Sequence, residues 1–147
     1  MASRQADGPV LEELSRAECL RLLATVPIGR ISYTRQALPA VEPVNFALHD
    51  GAIVIRTDAG GKLMAATRRA VVAFQADDLD QVLRSGWSVT VVGTCEEVTD
   101  AGDIARLEML GLESWAPGTR DHFIRIVPGI VTGRRLRGPG APKVAGL

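Results

Sequence analysis

A chain of 147 residues carrying 17 basic and 17 acidic side chains has the length of one domain, and lacks the global field that would recruit nucleic acid or an anionic membrane. It is 46% hydrophobic but holds only two Trp, one Tyr and three Phe, so its core has to be built from Val, Ile, Leu and Ala. Cys19 and Cys95 stand alone, with no CxxC and no flanking histidines, which argues against a zinc site and against a disulfide framework.

The opening "MASRQADGPVLEEL" has no apolar signal core, and no stretch approaches the roughly 18 apolar residues of a membrane span. A soluble cytoplasmic protein is the expectation, with residues 1–13 a flexible N-terminus, 14–136 the domain and 137–147 a flexible Gly/Pro-rich tail. Ser15 followed by Glu18 is a capping box with Leu14 as its staple residue; it opens a short helix whose Ala17, Leu20 and Leu23 share a stripe. Pro27 ends that helix, and "IGRISYT" reads as a strand.

The clearest hairpin follows. Val44, Phe46 and Leu48 alternate, Asp50-Gly51 supplies the turn, and Ile53 and Ile55 alternate again; Asp-Gly between alternating runs tolerates the positive φ such a turn needs. "KLMAATRR" predicts a short helix, "AVVAFQA" a strand, "DDLDQVLRSG" a loop, and "WSVTVVGTCEEV" a long strand with a bulge or bend at Gly93. A helix capped by Thr99 or Asp100 covers "TDAGDIARLEML", and "DHFIRIVPGIVTGRRL" gives two strand pieces joined at Pro128-Gly129. Strands do not alternate with long helices, so the prediction is a mainly β, antiparallel barrel of six or seven strands with short helices at its crossovers.

The stretch "IRTDAGGKLMAA" concentrates unusual chemistry. Arg56 offers a planar fork, Thr57 a hydroxyl, Lys62 a compact charge, and Gly60-Gly61 bare amides at the start of a helix. It is not a P-loop, since Gly61-Lys62 is followed by Leu63 and position 56 is Arg, and no GxGxxG is present. The residues themselves leave two readings: a local anion site, or a glycine turn flanked by solvated charges.

The segments "PAVEPVNFALHDGAIVIRT", "GGKLMAATRRAVVAF", "GWSVTVVGTCEEV" and "HFIRIVPGIVTGRRL", in this order, resemble the pyridoxamine 5′-phosphate oxidase-like FMN-binding split β-barrel family, in particular its small nitroimidazole-reductase-like and actinobacterial members. The resemblance implies a six-stranded antiparallel split barrel and a homodimer with FMN held between subunits, acting as an oxidoreductase on a small organic substrate by hydride transfer through the flavin N5. It implies that Arg56 and Thr57 contact the flavin's polar edge or phosphate, that Lys62 and the Gly61 amide hold the phosphate, and that Pro43, Val44 and Asn45 lie along the ring. Trp87 and Ser88 would approach the ring from the partner subunit, although Trp87 also suits a core. FAD, a deazaflavin coenzyme, or a non-catalytic flavin-storage or sensing role are the alternatives on the same barrel. A catalytic residue is not identified and no metal is expected.

The remaining polar groups have plainer readings. His49 is a turn residue, and His122 is a surface residue or a group at the barrel mouth. Glu96 and Glu97 fall on opposite strand faces, Arg125 lines the site or pairs with an acid at an interface, and Arg134, Arg135 and Arg137 form a solvated strand end.

Overall fold

Asp50 and Gly51 both adopt positive φ, 49° and 76°, and turn the strand β4 (Ala47–His49) into β5 (Ala52–Thr57), as the Asp-Gly pair predicts. The computed structural model describes residues 8–118 and 120–140. The first seven and last seven residues of the two expected flexible termini therefore lie outside the described residues. The other elements are β1 (Val10–Glu13), α1 (Arg16–Leu23), β2 (Ile28–Arg35), β3 (Leu38–Asn45), α2 (Gly61–Thr67), β6 (Val71–Asp80), β7 (Ser85–Glu97), α3 (Ala101–Glu108) and β8 (His122–Arg137).

All strand pairings are antiparallel, in the order β3-β2-β6-β7-β8-β5-β4, with β1 added to β8. The sheet curls into the expected split barrel. Its eight strands exceed six for identifiable reasons. Val10–Glu13, expected to be flexible, pairs with Arg134–Arg137. The single strand expected from Val44 to Leu48 is two: β3 pairs with β2 at one edge of the sheet and β4 with β5 at the other. Phe46 lies between them. Its amide donates to the Pro27 carbonyl at 3.2 Å, and its buried ring meets Phe74 edge-on at 4.8 Å. The split of the barrel is therefore plugged by an aromatic side chain.

Two connections differ from expectation. β6 continues through Asp80 and β7 resumes at Ser85, so most of "DDLDQVLRSG" is ladder, closed by a four-residue turn in which the Asp80 carboxylate accepts from the Val82 and Leu83 amides. The two strand pieces predicted around Pro128-Gly129 form one continuous β8. The register there passes from Val92↔Ile130 to Gly93↔Pro128, so the extra residue of the bulge is Gly129, on β8. Gly93 is where the strands press closest: a Cβ there would stand 2.0 Å from the Val127 carbonyl oxygen. A bulge also tolerates Pro128, which has no amide to give the ladder.

The main core fills the barrel from β2, β5, β6, β7 and β8, sealed by Leu22 and Leu23 of α1 and Ala65 and Ala66 of α2. Ser15 caps α1 by accepting from the Glu18 amide at 3.2 Å. The face α1 buries is Cys19, Leu22 and Leu23; Ala17 of the expected stripe is exposed. Asp100, one of the two expected caps, caps α3. A smaller cluster of Val54, Val98, Leu107 and Phe123 seats α3 on the outer side of β5 and β8. No helix among the described residues is long and apolar enough to cross a membrane.

Both thiols are fully buried. Burial, with the Glu96 carboxylate second, pushes the Cys95 thiol up to about 12; burial and then Glu18 push Cys19 up as well. The thiolate is the reactive species. Native protein at pH 8 is therefore expected to give no fast reaction with Ellman's reagent, and two thiols per chain once denaturant is added. Rapid native labelling would show that the barrel opens at Cys95 or Cys19.

Candidate functional site

At the split, the end of β3, the start of β2, Arg56 of β5, Lys62 of α2 and the connection from α3 to β8 enclose a cleft of ≈ 330 Å³. That is at the low end of the roughly 300–1,000 Å³ of small-molecule sites. Edge position explains how β3 presents this wall. Pro39 and Pro43 have no amide to donate, which a strand accepts only where one side lacks a neighbour.

Strand alternation sorts the β5 residues. Ile53 and Ile55 enter the barrel, whereas Val54 packs on the α3 side. Arg56 shares the Val54 face and reaches the cleft. Its guanidinium lies 5.0 Å over the Phe123 ring, and its Nε donates to the Arg120 carbonyl at 2.8 Å. Among the described residues Arg56 has no carboxylate partner. Lys62, with its side chain 18% exposed, pairs with Glu42 of β3. The same carboxylate lies beside Tyr33, whose phenol is pushed up first by burial and then by the Glu42 charge. Arg120 donates to Asp58 at 3.2 Å. Three cations thus line the cleft and, among the described residues, no carboxylate does, although Glu42 and Asp58 pair with two of those cations.

Five expected site residues converge here: Pro43, Val44, Asn45, Arg56 and Lys62. The other four lie elsewhere. Thr57 follows the inward alternation and is 1% exposed; its Oγ1 has no hydrogen-bond partner among the described residues. Gly61 opens α2 against Tyr33, and a Cβ there would stand 2.9 Å from the Tyr33 ring, so packing requires the glycine whatever its amide does. Trp87 is 8% exposed and belongs to the barrel core. Ser88, its neighbour on β7, faces the opposite way and lines a separate ≈ 430 Å³ depression with Thr90, Thr132 and Arg134. Within one chain, Trp87 and Ser88 do not share a surface.

Besides Ile28 at the start of β2, four lining residues were not legible in advance: Ser114, Trp115, Ala116 and Arg120. They come from "GLESWAPGTRD", where Gly, Pro and Ser erase any periodicity. A tryptophan in such a stretch was the available signal, because Trp is highly buried on average and carries a flat apolar face with one polar N–H. The Trp115 amide donates to Asn45 Oδ1 at 2.8 Å, tying this connection to β3. That bond fixes the Asn45 amide with its NH₂ group left to donate.

A second cavity of ≈ 240 Å³ lies under α3, between His49 and Arg125. Its polar groups already satisfy one another. Arg125 donates to Glu96 at 2.7 Å, Arg106 pairs with Asp103, and His49 lies 3.3 Å from Asp50. Arg125 accordingly pairs with an acid of its own chain. Among the described residues no group of three His, Cys, Asp or Glu is placed to hold a metal ion.

Comparison with known proteins gives a consistent family. The family model described as pyridoxamine 5′-phosphate oxidase matches residues 15–135. The uncharacterized protein Rv0080 of Mycobacterium tuberculosis is 44% identical over 140 residues, which is 92% of this chain and 91% of that protein. The solved structure of an FAD-binding protein from Mycobacterium smegmatis superposes with a TM-score of 0.69 at 36% identity, covering 86% of this chain and 100% of the other. An FAD-binding protein from Mesorhizobium loti gives a TM-score of 0.72 at 26% identity, covering 88% and 98%.

Proposed function

Because the chain belongs to the pyridoxamine 5′-phosphate oxidase family, we propose that its cleft binds a flavin, FMN in the first instance, in a homodimeric oxidoreductase that acts on a small organic substrate. The observation that carries this is the convergence of Pro43, Val44, Asn45, Arg56 and Lys62 on one cleft lined by three cations and no carboxylate. That donor set fits a phosphorylated planar ligand. Arg56 offers two parallel donors and Lys62 a point charge to a phosphate dianion. Pro43 and Val44 offer apolar surface to a ring, and the Asn45 NH₂ a donor to a carbonyl on its edge.

A bound flavin supplies two-electron hydride exchange at its N5. The chain's own part is to bind, orient and exclude water. No histidine, carboxylate, thiol or phenol lines the cleft among the described residues, so protons are exchanged with solvent rather than with a dedicated side chain. The reading that a second copy completes the site is favoured by the outer face of β7 and β8. Ser88, Thr90, Thr132 and Arg134 offer hydrogen-bonding groups there beside Ile130, which is 65% exposed. Ser88 enters this reading through that completed site, and Thr57, Gly61 and Trp87 through the packing behind the cleft.

The deciding experiment is an absorbance scan after incubation with excess FMN and desalting, repeated with FAD and with a deazaflavin coenzyme. The expected result is a retained flavin spectrum near one flavin per chain. Colourless protein with all three would overturn the proposal. Addition of NADH or NADPH under anaerobic conditions then separates a catalyst, whose flavin bleaches, from a storage or sensing module, whose flavin does not.

A further inference from the structure

The tryptophan that meets the ligand is decided by placement. The chain has two. Trp87 is enclosed in the barrel core, whereas Trp115 is 70% exposed on the cleft wall. An indole left largely in water beside an apolar β3 wall is a surface waiting to be covered, and aromatic faces are covered best by other flat rings. The strap that carries it, residues 112–118, leaves α3 near Leu112, which packs on the α3 cluster. Between Ser114 and Gly118 its one hydrogen bond to the barrel, among the described residues, is the Trp115 amide to Asn45 Oδ1 at 2.8 Å. Beyond the strap the Arg120 carbonyl is held by Arg56 Nε. Two residues expected to touch the ligand, Asn45 and Arg56, therefore also hold this connection, Asn45 at the Trp115 amide itself and Arg56 further on at Arg120.

We propose that Trp115 is the aromatic wall of the cleft, stacking on the flavin ring, and that Asn45 is a positioning residue that sets the strap at the height of that ring. The inference rests on the flavin reading of the cleft and adds to it the residue that covers the ring. It also assigns the Asn45 side chain a double function: its oxygen holds the strap while its NH₂ group faces the ligand.

The test uses the emission of bound FMN. An indole in contact with an excited flavin donates an electron and extinguishes its light, an effect confined to contact distance. Wild-type protein, Trp115→Phe, Trp87→Phe and Asn45→Ala are titrated with FMN, the bound fraction is measured by ultrafiltration, and emission is expressed per bound flavin. The expected result is dark bound FMN in wild type and Trp87→Phe, a several-fold brighter flavin with several-fold weaker binding in Trp115→Phe, and intermediate brightness in Asn45→Ala. Equal emission from wild type and Trp115→Phe, or a rise in Trp87→Phe alone, overturns the assignment while leaving flavin binding intact. Wild type that retains no FMN overturns the reading of the cleft itself and this inference with it. If Trp87→Phe fails to fold, Trp115→Phe and Asn45→Ala against wild type decide the matter.

Discussion

Lys62→Ala is expected to weaken FMN binding by about 1.5–3 kcal/mol, roughly ten- to a hundredfold, the cost of one hydrogen bond to a charged group. Arg56→Ala should cost a similar amount. The two differ in what they leave behind. Removing Lys62 also leaves the Glu42 carboxylate without its ammonium partner beside the cleft, so this variant should fall at the weaker-binding end. Removing Arg56 also cuts the bond to the Arg120 carbonyl and the contact with Phe123, so its melting temperature has to be followed alongside. Glu42→Gln is the informative partner variant. It keeps the shape, removes the opposing charge, and should bind FMN at least as tightly as wild type. Wild-type affinity in both Lys62→Ala and Arg56→Ala would remove the phosphate from this end of the cleft and return the Gly60-Gly61 turn to a merely structural role.

Phe74→Ala is expected to destabilise the fold by about 3–5 kcal/mol, as for other fully buried aromatic truncations. Phe74 is 0% exposed, holds Phe46 edge-on at the split, and presses its ring into space left by Gly29. A Cβ on Gly29 would stand 2.2 Å from Phe74 Cζ, so Gly29→Ala overpacks the same place and should cost about 1–3 kcal/mol. The pair should couple. In the Phe74→Ala background the added methyl enters a cavity, so Gly29→Ala should cost less there or become stabilising, with a coupling of about 0.5–3 kcal/mol. Strict additivity in urea unfolding would show that the two residues do not share space. The consequence reaches the cleft, because Gly29 pairs with Val44 and its neighbour Ile28 with Asn45, both on the candidate wall.

What could be read from residues alone was what local chemistry announces. Asp50-Gly51, the capping box at Ser15 and the glycine in the middle of β7 each carry a local signature, and each sits where expected. The β2–β3 hairpin gave no such notice. It turns through Gln36 and Ala37 at φ of 50° and 62°, residues that do not advertise a left-handed turn. The break at Phe46 was hidden for a different reason: alternation continues through it, and only the choice of partner strand changes. The cleft was half legible because Arg56 and Lys62 lie close together in sequence. Its other wall arrives from residues 114–120, and sequence distance of that kind leaves no local trace.

β8 has a consequence for how the barrel is made rather than how it works. It pairs with β1, β5 and β7; the first of these pairings joins Val10 to Arg137, across most of the chain, and the second joins Ile53 to Ile126, across about half of it. A nascent polypeptide that has not yet emitted residue 122 can form the β2–β3 and β6–β7 hairpins but cannot close the sheet around them. Folding is therefore dominated by long-range pairing, the regime of slow, high contact-order domains. Until β8 arrives, β5, which carries the core residues Ile53 and Ile55, lacks a ladder neighbour on one side, and that edge is open to pairing elsewhere.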